Sequence, residues 1–240
     1  MPNNQYERPQ SPLDGLFLKD DFYTNDAATD ALIGELRWEM AALSANASTL
    51  AYQTAEPYGV IKLTTNATAT GDGCYLRLFT DGFCAEGGVG GGFSFRARLD
   101  DQIASNNFRI GVGDSITTTD PTVGIWVECD GGVITLECDS AAHGDTAQAV
   151  AGVSTLTTGT TMVVTTMHTF RVEWSGTNAQ GGPAWVDLYV DNELGASVLC
   201  NIDDDETMEP KIIHWQDSGG GLAVELDLDF YELYQWRNRA

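Results

Sequence analysis

Apolar and polar residues alternate along most of this chain, which is the pattern of strands that have one buried face. In the segment TFRVEWSG the apolar Phe170, Val172 and Trp174 share one face, and the charged Arg171 and Glu173 share the other. Such segments recur from residue 16 onward at the spacing typical of a β-sandwich. We predict strands at Leu16–Tyr23, Tyr58–Thr65, Cys74–Thr80, Gly92–Leu99, Phe108–Gly113, Val123–Glu128, Val133–Cys138, Met162–Trp174, Ala184–Val190, Ser197–Ile202, Lys211–Gln216 and Leu222–Trp236.

Two segments depart from this alternation. Residues 27–43 on their own favour a helix, because apolar side chains recur there at helical spacing: Leu32, Leu36, Met40 and Leu43. Residues 139–160 are the longest stretch with a weak pattern, and we predict that they form a long surface loop. Asp191-Asn192 lies between two strand patterns and predicts a tight hairpin turn.

Strands without helical alternation, internal repeats or a linker predict one all-β domain over residues 16–240. We expect a two-sheet antiparallel sandwich of the jelly-roll type. Residues 1–15 are polar and rich in proline, so they predict a short extended N-terminal arm that is ordered only where a partner holds it. The arm residues expected to contact that partner are Pro2, Tyr6, Arg8, Pro9 and Pro12.

The composition limits the classes of partner. The chain has 240 residues, of which 42% are hydrophobic, so it can bury a substantial core. Its 12 basic and 35 acidic residues give a formal charge of −23. A phosphate backbone would be repelled, so we expect no nucleic-acid partner, whereas a basic protein surface would be attracted. The first residues lack the apolar core of a signal peptide, and no apolar run has membrane-spanning length, so we expect no membrane partner.

The cysteine count is odd, so at least one thiol is unpaired. The five are Cys74, Cys84, Cys129, Cys138 and Cys200, and none forms a CxxC motif. Cys129 and Cys138 flank a predicted hairpin turn at Asp130-Gly131-Gly132, which leaves a cross-strand disulfide open. The favoured interpretation is that the cysteines are buried free thiols in a reduced compartment.

Three carboxylates stand at alternate positions near the C-terminus: Glu225, Asp227 and Asp229. They are either a catalytic row or the polar face of a strand. A retaining glycosidase needs its two carboxyl groups about 5–5.5 Å apart. Residues i and i+4 of a flat strand are separated by about 13 Å. We therefore favour the polar face, with the intervening apolar residues turned toward the core: Leu226, Leu228 and Phe230.

Other acidic and glycine-rich runs are further candidates for ligand sites. The acidic run at residues 203–206 and the Asp20-Asp21 pair favour solvated turns, with a weak calcium site as the alternative. The candidate ligands would be Asp20, Asp21, Asp203 and Asp205. The glycines of residues 87–92 lack the following helix of a phosphate-binding loop, so they predict a turn. No cofactor is expected.

Aromatic residues offer a further kind of site, because exposed rings stack on sugars. Among the six tryptophans, Trp126 and Trp174 alternate with apolar residues and are predicted to lie in the core. Trp185 and Trp215 are the better candidates for a glycan-binding surface. The histidines are scattered at 143, 168 and 214, and their spacing indicates no catalytic triad.

Two stretches carry a resemblance to known families. The C-terminal LAVELDLDFYELYQW resembles the closing strand of concanavalin A-like lectin and glucanase domains, through Asp229, Phe230, Leu233, Tyr234 and Gln235. Laminarinase-type glycosidases of that superfamily carry an acidic ExDxE row on a middle strand. This chain carries its row on the last strand, so the resemblance does not transfer catalytic roles.

The N-terminal stretches DDFYTND, IGELRWEM and EPYGVIKLTTNATATGDGCYLRL resemble a lectin-like sandwich domain of tailed-bacteriophage structural proteins. The matching residues are Asp20, Asp21, Phe22, Gly34, Glu35, Leu36, Trp38, Pro57, Gly59 and Val60. This resemblance implies a concanavalin A-like jelly roll over the whole domain. It also implies that Gly34–Met40 forms loop and strand, against the helical spacing noted above.

The resemblance implies a non-enzymatic virion protein of a tailed phage, with a capsid decoration (cement) protein as the first choice. Such a protein would be made in the host cytoplasm and lie on the capsid surface. It would form a homo-oligomer and bind the major capsid protein or other virion proteins. The alternative is a tail-fibre or receptor-binding domain that recognises host glycans through Trp185 and Trp215. A glycoside hydrolase is the less favoured third class.

Overall fold

The chain folds into two antiparallel sheets that pack face to face. The computed structural model describes residues 15–22, 33–45, 48–53, 59–78, 85–86, 89–99, 103–114, 121–140, 144–175, 184–200, 207–217 and 222–236. Every strand pair among these residues is antiparallel. The fold class predicted from alternation is therefore confirmed.

Sheet A contains the two ends of the described chain. Its strands are β1 (Gly15–Asp20), β3 (Thr49–Tyr52), β4 (Ile61–Thr64), β7 (Gly91–Leu99), β12 (His168–Trp174), β13 (Ala184–Val190), β14 (Glu193–Cys200) and β16 (Glu225–Trp236). The spatial order is β14-β13-β12-β7-β16-β4-β3, and β1 pairs with β16 beyond the end of β4. Strands β7 and β16 thus form the centre of this sheet.

Sheet B covers the other side of the core. Its strands are β2 (Trp38–Ala42), β5 (Gly73–Leu78), β6 (Ala85–Glu86), β8 (Asn106–Gly113), β9 (Gly124–Asp130), β10 (Val133–Ser140), β11 (Gly144–Ala149) and β15 (Thr207–Gln216). The spatial order is β11-β10-β9-β8-β15-β5-β2, with β6 paired to β15. A single 3-10 turn at Ile103–Ser105 precedes β8 in the described chain.

Aromatic rings from both sheets meet in the core. Phe95 and Phe170 of sheet A stack with ring centroids 4.8 Å apart, and Phe108 of sheet B meets Phe95 edge-on at 6.1 Å. Trp38 of β2 contacts Tyr231 of β16 edge-on at 5.4 Å. All five side chains are fully buried, and the contacts of Phe95 with Phe108 and of Trp38 with Tyr231 join the two sheets. Each aromatic pair contributes about 0.5–1.5 kcal/mol beyond area burial.

The structure corrects several predicted boundaries. The segment at residues 33–37 is a turn followed by strand β2, as the resemblance implied and against the helical spacing. The predicted loop at 139–160 is partly strand, because it contains the end of β10 and all of β11. Its remainder inserts three side chains into the core: Val150, Val153 and Leu156.

The last strand departs from the prediction in its second half. A bulge shifts its register against β7 between Leu228 and Phe230. After the bulge the inward positions change, so Tyr231 and Leu233 face the core. Phe230 was predicted to point inward, and this prediction was wrong because the extra residue reverses the alternation.

The cysteine prediction holds for two residues and fails for one. Cys74 and Cys129 are buried free thiols, and burial raises the pKa of the Cys74 thiol to about 12. Cys138 is disulfide-bonded, so it is not a free thiol. In the β9–β10 hairpin Cys129 lies opposite Ile134 and Cys138 lies opposite Ile125, so the two cysteines are not cross-strand partners.

Both predicted hairpin turns are present in the structure. Asp191 and Asn192 have φ of 49° and 71°, as a tight hairpin turn with left-handed residues requires. Gly131 and Gly132 also have positive φ in the β9–β10 turn. Among the residues that the structure describes, no helix is long and apolar enough to cross a membrane.

Candidate functional site

The acidic row of β16 is neutralised by basic residues on neighbouring strands. It lies on the outer face of sheet A, and its pairs are Glu225 with Lys62 (2.5 Å), Asp227 with Arg98 (2.7 Å) and Asp229 with Arg96 (2.9 Å). Asp227 is fully buried and also accepts a hydrogen bond from Gln53. The row is therefore a ladder of ion pairs, and the predicted solvent-facing position of Asp227 was wrong.

Asp20 was proposed as a weak calcium ligand, but its carboxylate already has four protein donors. It is fully buried and accepts hydrogen bonds from the backbone N–H groups of Phe22 (2.7 Å), Glu35 (3.2 Å) and Leu36 (2.8 Å). The indole N–H of Trp38 donates the fourth at 3.1 Å. Asp20 thus fixes the turn before β2, and a cation there would have to displace these donors.

Of the other predicted calcium ligands, Asp21 is the one that the structure describes. Asp21 pairs with Lys19 at 2.7 Å on the surface. Asp203 and Asp205 lie outside the described residues, as does the predicted partner-binding arm with Pro2, Tyr6, Arg8, Pro9 and Pro12. Within the described ranges, no group of three or more His, Cys, Asp or Glu side chains is arranged to hold a metal ion.

The two tryptophans predicted to bind glycans differ in exposure. Trp185 on the outer face of β13 is 57% exposed, as a stacking platform requires. Its cross-strand partner Leu199 is 46% exposed. Trp215 is only 4% exposed, and its indole N–H donates to Asp217 at 3.1 Å. The expected exposure of Trp215 is therefore not observed, although the residue does lie on the outer face of its sheet.

A groove of about 280 Å³ crosses the outer face of sheet A. Its lining residues are Ser94 on β7, Thr169 and Arg171 on β12, Asn192 in the β13–β14 turn, and Phe230 and Glu232 on β16. The strand register explains the depression. Ser94 lies directly between Glu232 and Arg171, so a small side chain separates two long ones.

Hydrogen bonds and ring contacts hold the groove side chains in place. The Ser94 hydroxyl donates to Glu232 at 2.6 Å. The Arg171 guanidinium donates to Glu173 and lies 4.2 Å above the ring of Tyr189, a cation–π contact. The walls therefore present a carboxylate and a guanidinium whose positions are set before any ligand arrives.

The turn that carries Asn192 is anchored by its neighbour Asp191. The Asp191 carboxylate contacts the buried His168 ring at 2.7 Å and accepts hydrogen bonds from Thr155 (2.5 Å) and the Thr169 backbone (2.8 Å). Burial raises the pKa of Asp191, but the hydrogen bonds from Thr155 and His168 outweigh it, so the pKa is lowered. The amide of Asn192 therefore stands on a well-supported turn at the groove edge.

This groove can recognise a polar ligand that has a flat apolar face. It offers a carboxylate acceptor, hydroxyls, an amide, a guanidinium and the half-buried ring of Phe230. The sequence alone did not reveal it, because its residues come from three strands spread between Ser94 and Glu232. The available signal was the polar outer face of TFRVEWSG, which contributes Thr169 and Arg171.

Comparison with known proteins defines the fold. No protein-family model matches the chain, and no curated protein matches it. Solved structures are similar over nearly its whole length. A laminarinase (endo-1,3-beta-glucanase) catalytic domain from Thermotoga petrophila RKU-1 has a TM-score of 0.60 at 14% identity, and the match covers 94% of this chain and 99% of that one.

Two further structures illustrate the range of neighbours. The endo-beta-1,4-glucuronan lyase of Trichoderma reesei has a TM-score of 0.56 at 11% identity, covering 92% of this chain and 95% of that one. The receptor-binding domain of the botulinum neurotoxin C/D mosaic serotype has a TM-score of 0.54 at 16% identity. That match covers 92% of this chain and 48% of that one.

These likenesses show that the chain is a concanavalin A-like jelly-roll sandwich. They also correct the expectation that it is not an enzyme. Two laminarinase domains and a lyase have this same single sandwich, so a lone sandwich without a second domain is no argument against catalysis. At these identities the likeness shows the fold alone.

Proposed function

We propose that this protein is a carbohydrate-binding sandwich domain whose ligand lies in the groove on the outer face of sheet A. The observation that carries the proposal is the groove itself, with Glu232, Ser94 and Arg171 in one cross-strand row. Sugar hydroxyls are both donors and acceptors, so they suit a row that offers a carboxylate, a hydroxyl and a guanidinium. The volume of about 280 Å³ suits a small ligand or one end of a longer one.

Aromatic rings near the groove support the same ligand class. Phe230 lines the groove, and Trp185 stands exposed on the same sheet face. Trp185 lies four residues from Tyr189 along β13, which is about 13 Å. A ligand of several sugar rings would span both, with one ring on Trp185 and another in the groove.

The names of similar proteins favour a glycan over other polar ligands. They include a beta-glucanase, a glucuronan lyase and a neurotoxin whose cell entry depends on ganglioside. Those activities belong to the named proteins, and the particular glycan of this chain is left to experiment.

Calorimetric titration with soluble β-1,3-glucan oligosaccharides, N-acetylglucosamine oligosaccharides and ganglioside oligosaccharides tests the proposal. We expect one probe class to bind, and Glu232→Gln to weaken that binding by about tenfold or more. Glutamine keeps the acceptor for Ser94, so the sandwich should stay folded. Glu39→Gln, on sheet B, is the matched control. The proposal fails if no probe binds, or if the two variants bind equally. Release of reducing ends in the same mixtures would identify a substrate.

The expected location on a tailed-phage capsid stays a prediction, as do the homo-oligomer and the capsid or other virion partner. A glycan-binding groove is compatible with a place on the capsid or on a tail fibre. Antibody labelling of intact particles distinguishes the two: label over the whole shell supports a decoration protein, and label confined to the tail supports a receptor-binding domain. Particles without label would contradict both.

A further inference from the structure

The floor of the groove on sheet A carries a negative charge. Ser94 and Glu232 both line the groove, and the Ser94 hydroxyl donates to the Glu232 carboxylate at 2.6 Å. Serine is short, so an oxygen that contacts its hydroxyl lies close to the surface of the strands, below the longer side chains of the walls. The carboxylate of Glu232 is therefore part of the floor, where a bound ligand would contact it.

The positive charge of Arg171 is held on the other side of its strand. Ser94 on β7 and Tyr189 on β13 are the cross-strand neighbours of Arg171 on its two sides. The guanidinium lies 4.2 Å from the centre of the Tyr189 ring and donates to the carboxylate of Glu173. These contacts hold the guanidinium beside a carboxylate and toward β13, so the aliphatic stem of Arg171 is the part nearest to Ser94.

The outer face of sheet A has more acidic than basic side chains among the residues that the structure describes. Its basic residues each pair with an acid: Lys19 with Asp21, Lys62 with Glu225, Arg96 with Asp229, Arg98 with Asp227 and Arg171 with Glu173. The strand registers place Asp187 and Glu232 on the same face as further carboxylates. The whole chain has a formal charge of −23, so the potential over this face attracts cations.

Lys19 shows the effect of this potential beside the groove. It lies opposite Glu232 in the pairing of β1 with β16. A hydrogen bond to Asp21 and the negative charges of Asp21, Glu232 and Asp229 raise the pKa of the Lys19 ammonium, although desolvation acts against them. An ammonium is thus stabilised next to Glu232, and the same carboxylates would stabilise a ligand ammonium that approaches from the groove.

The remaining lining residues suit the same kind of group. Phe230 contributes an aromatic ring, and ring faces attract cations. Thr169 and Asn192 contribute a hydroxyl and an amide, whose oxygens accept hydrogen bonds from an ammonium or from sugar hydroxyls. The groove therefore combines an anionic floor with an aromatic ring and neutral acceptors.

We propose that the groove prefers an amino sugar, with the protonated amine of the sugar paired to Glu232. This inference rests on the proposed function, because it names the class of glycan that the groove takes. A hydrogen bond between an ammonium and a carboxylate is about twice as strong as one between neutral groups, so a free amine gains affinity over a hydroxyl or an acetamide at the same position. A sugar acid would be repelled by the same carboxylate.

Calorimetric titration of the full chain with three tetrasaccharides tests this preference. The probes are β-1,4-linked glucosamine, its N-acetylated counterpart and β-1,4-linked glucose, at a mildly acidic pH where the sugar amine is protonated. We expect the glucosamine probe to bind about tenfold more tightly than either neutral probe. Equal or tighter binding of a neutral probe would overturn the inference and leave the proposed glycan groove standing. Binding of none of the three also overturns it, and the proposed function fails as well if its own probes do not bind.

Two variants with the same change of charge locate the binding, because a polycation is attracted to any acidic surface. Glu232→Gln removes a carboxylate from the groove, and Glu39→Gln removes one from the outer face of sheet B. The preference for glucosamine over its N-acetylated counterpart should nearly disappear in Glu232→Gln and stay at about tenfold in Glu39→Gln. An equal fall in both variants, or an unchanged preference in folded Glu232→Gln, would overturn the assignment to the groove.

Discussion

At the residue scale, the most informative side chain is Asp20. It is fully buried, and four N–H donors converge on its carboxylate. Gly34 makes this possible, because a Cβ there would lie 2.4 Å from the carboxylate and its φ is +67°. The residues DDF, GEL and W, on which the family resemblance rests, therefore have a structural role. Asp20 accepts hydrogen bonds that fix the turn at residues 33–37.

Replacing Asp20 should be severe. In Asp20→Ala, three backbone N–H groups and the Trp38 indole lose their acceptor inside the core. Each unsatisfied donor costs about 1–3 kcal/mol, so we expect a loss of about 4 kcal/mol in the free energy of unfolding. Urea denaturation measures it, and Asp21→Ala is the control because Asp21 is on the surface. Equal stability of the two variants would refute the role of Asp20.

Glu35 predicts a pH dependence at the same turn. Burial and a hydrogen bond to Asp20 raise the pKa of the Glu35 carboxyl to about 7, from 4.5. The folded state then holds a proton that the unfolded state releases, so this contribution to stability is present below pH 4.5 and is lost as the pH rises toward 7. Because Glu35 is only partly desolvated and its side chain is largely exposed, solvent screening should keep the effect small. The urea midpoint should fall between pH 5 and pH 7.5, and Glu35→Gln should reduce that fall. If the urea midpoint of Glu35→Gln falls with pH as steeply as that of the parent protein, the assignment is contradicted.

At the element scale, β16 shows what alternation reveals and what it hides. The outer-face positions of Glu225 and Asp227 followed from the sequence pattern. The bulge at Asp229 did not, because no glycine or proline marks it. The burial of Asp227 was also hidden, since it depends on Arg98 of β7 and on Gln53, which directly follows β3. Alternation assigns faces, but register and cross-strand partners depend on tertiary packing.

Among the ion pairs on β16, the pair of Asp227 and Arg98 should contribute strongly to the free energy of unfolding. In Asp227→Asn the partly buried Arg98 loses a carboxylate partner that is fully buried, and we expect a cost of about 3 kcal/mol. The pair of Arg77 and Glu39 is largely exposed, so Glu39→Gln should cost less than about 1 kcal/mol. Chemical denaturation of both variants gives the comparison. If the two variants lose similar amounts of free energy of unfolding, the prediction that burial strengthens the Asp227–Arg98 pair is contradicted.

At the scale of the whole molecule, the sandwich presents two different outer faces. Sheet A carries a groove with mixed polar chemistry, and sheet B carries only a narrow, largely apolar depression beside Trp126 among the described residues. The sequence predicted the two-sheet fold because alternation and turn residues act locally. It could not predict the groove, because the groove forms where side chains from three strands meet in register. Trp215 illustrates this, since its outward position was predictable but its burial beside Arg109 was not.

The central claim is that the groove of sheet A binds glycan. The most direct measurement is the difference in affinity between the parent protein and Glu232→Gln for the tightest glycan found by calorimetry. The account predicts saturable binding by the parent and a loss of about tenfold or more in the variant, with an unchanged melting temperature. Binding of equal strength by both proteins would contradict it, because the groove would then not contain the ligand.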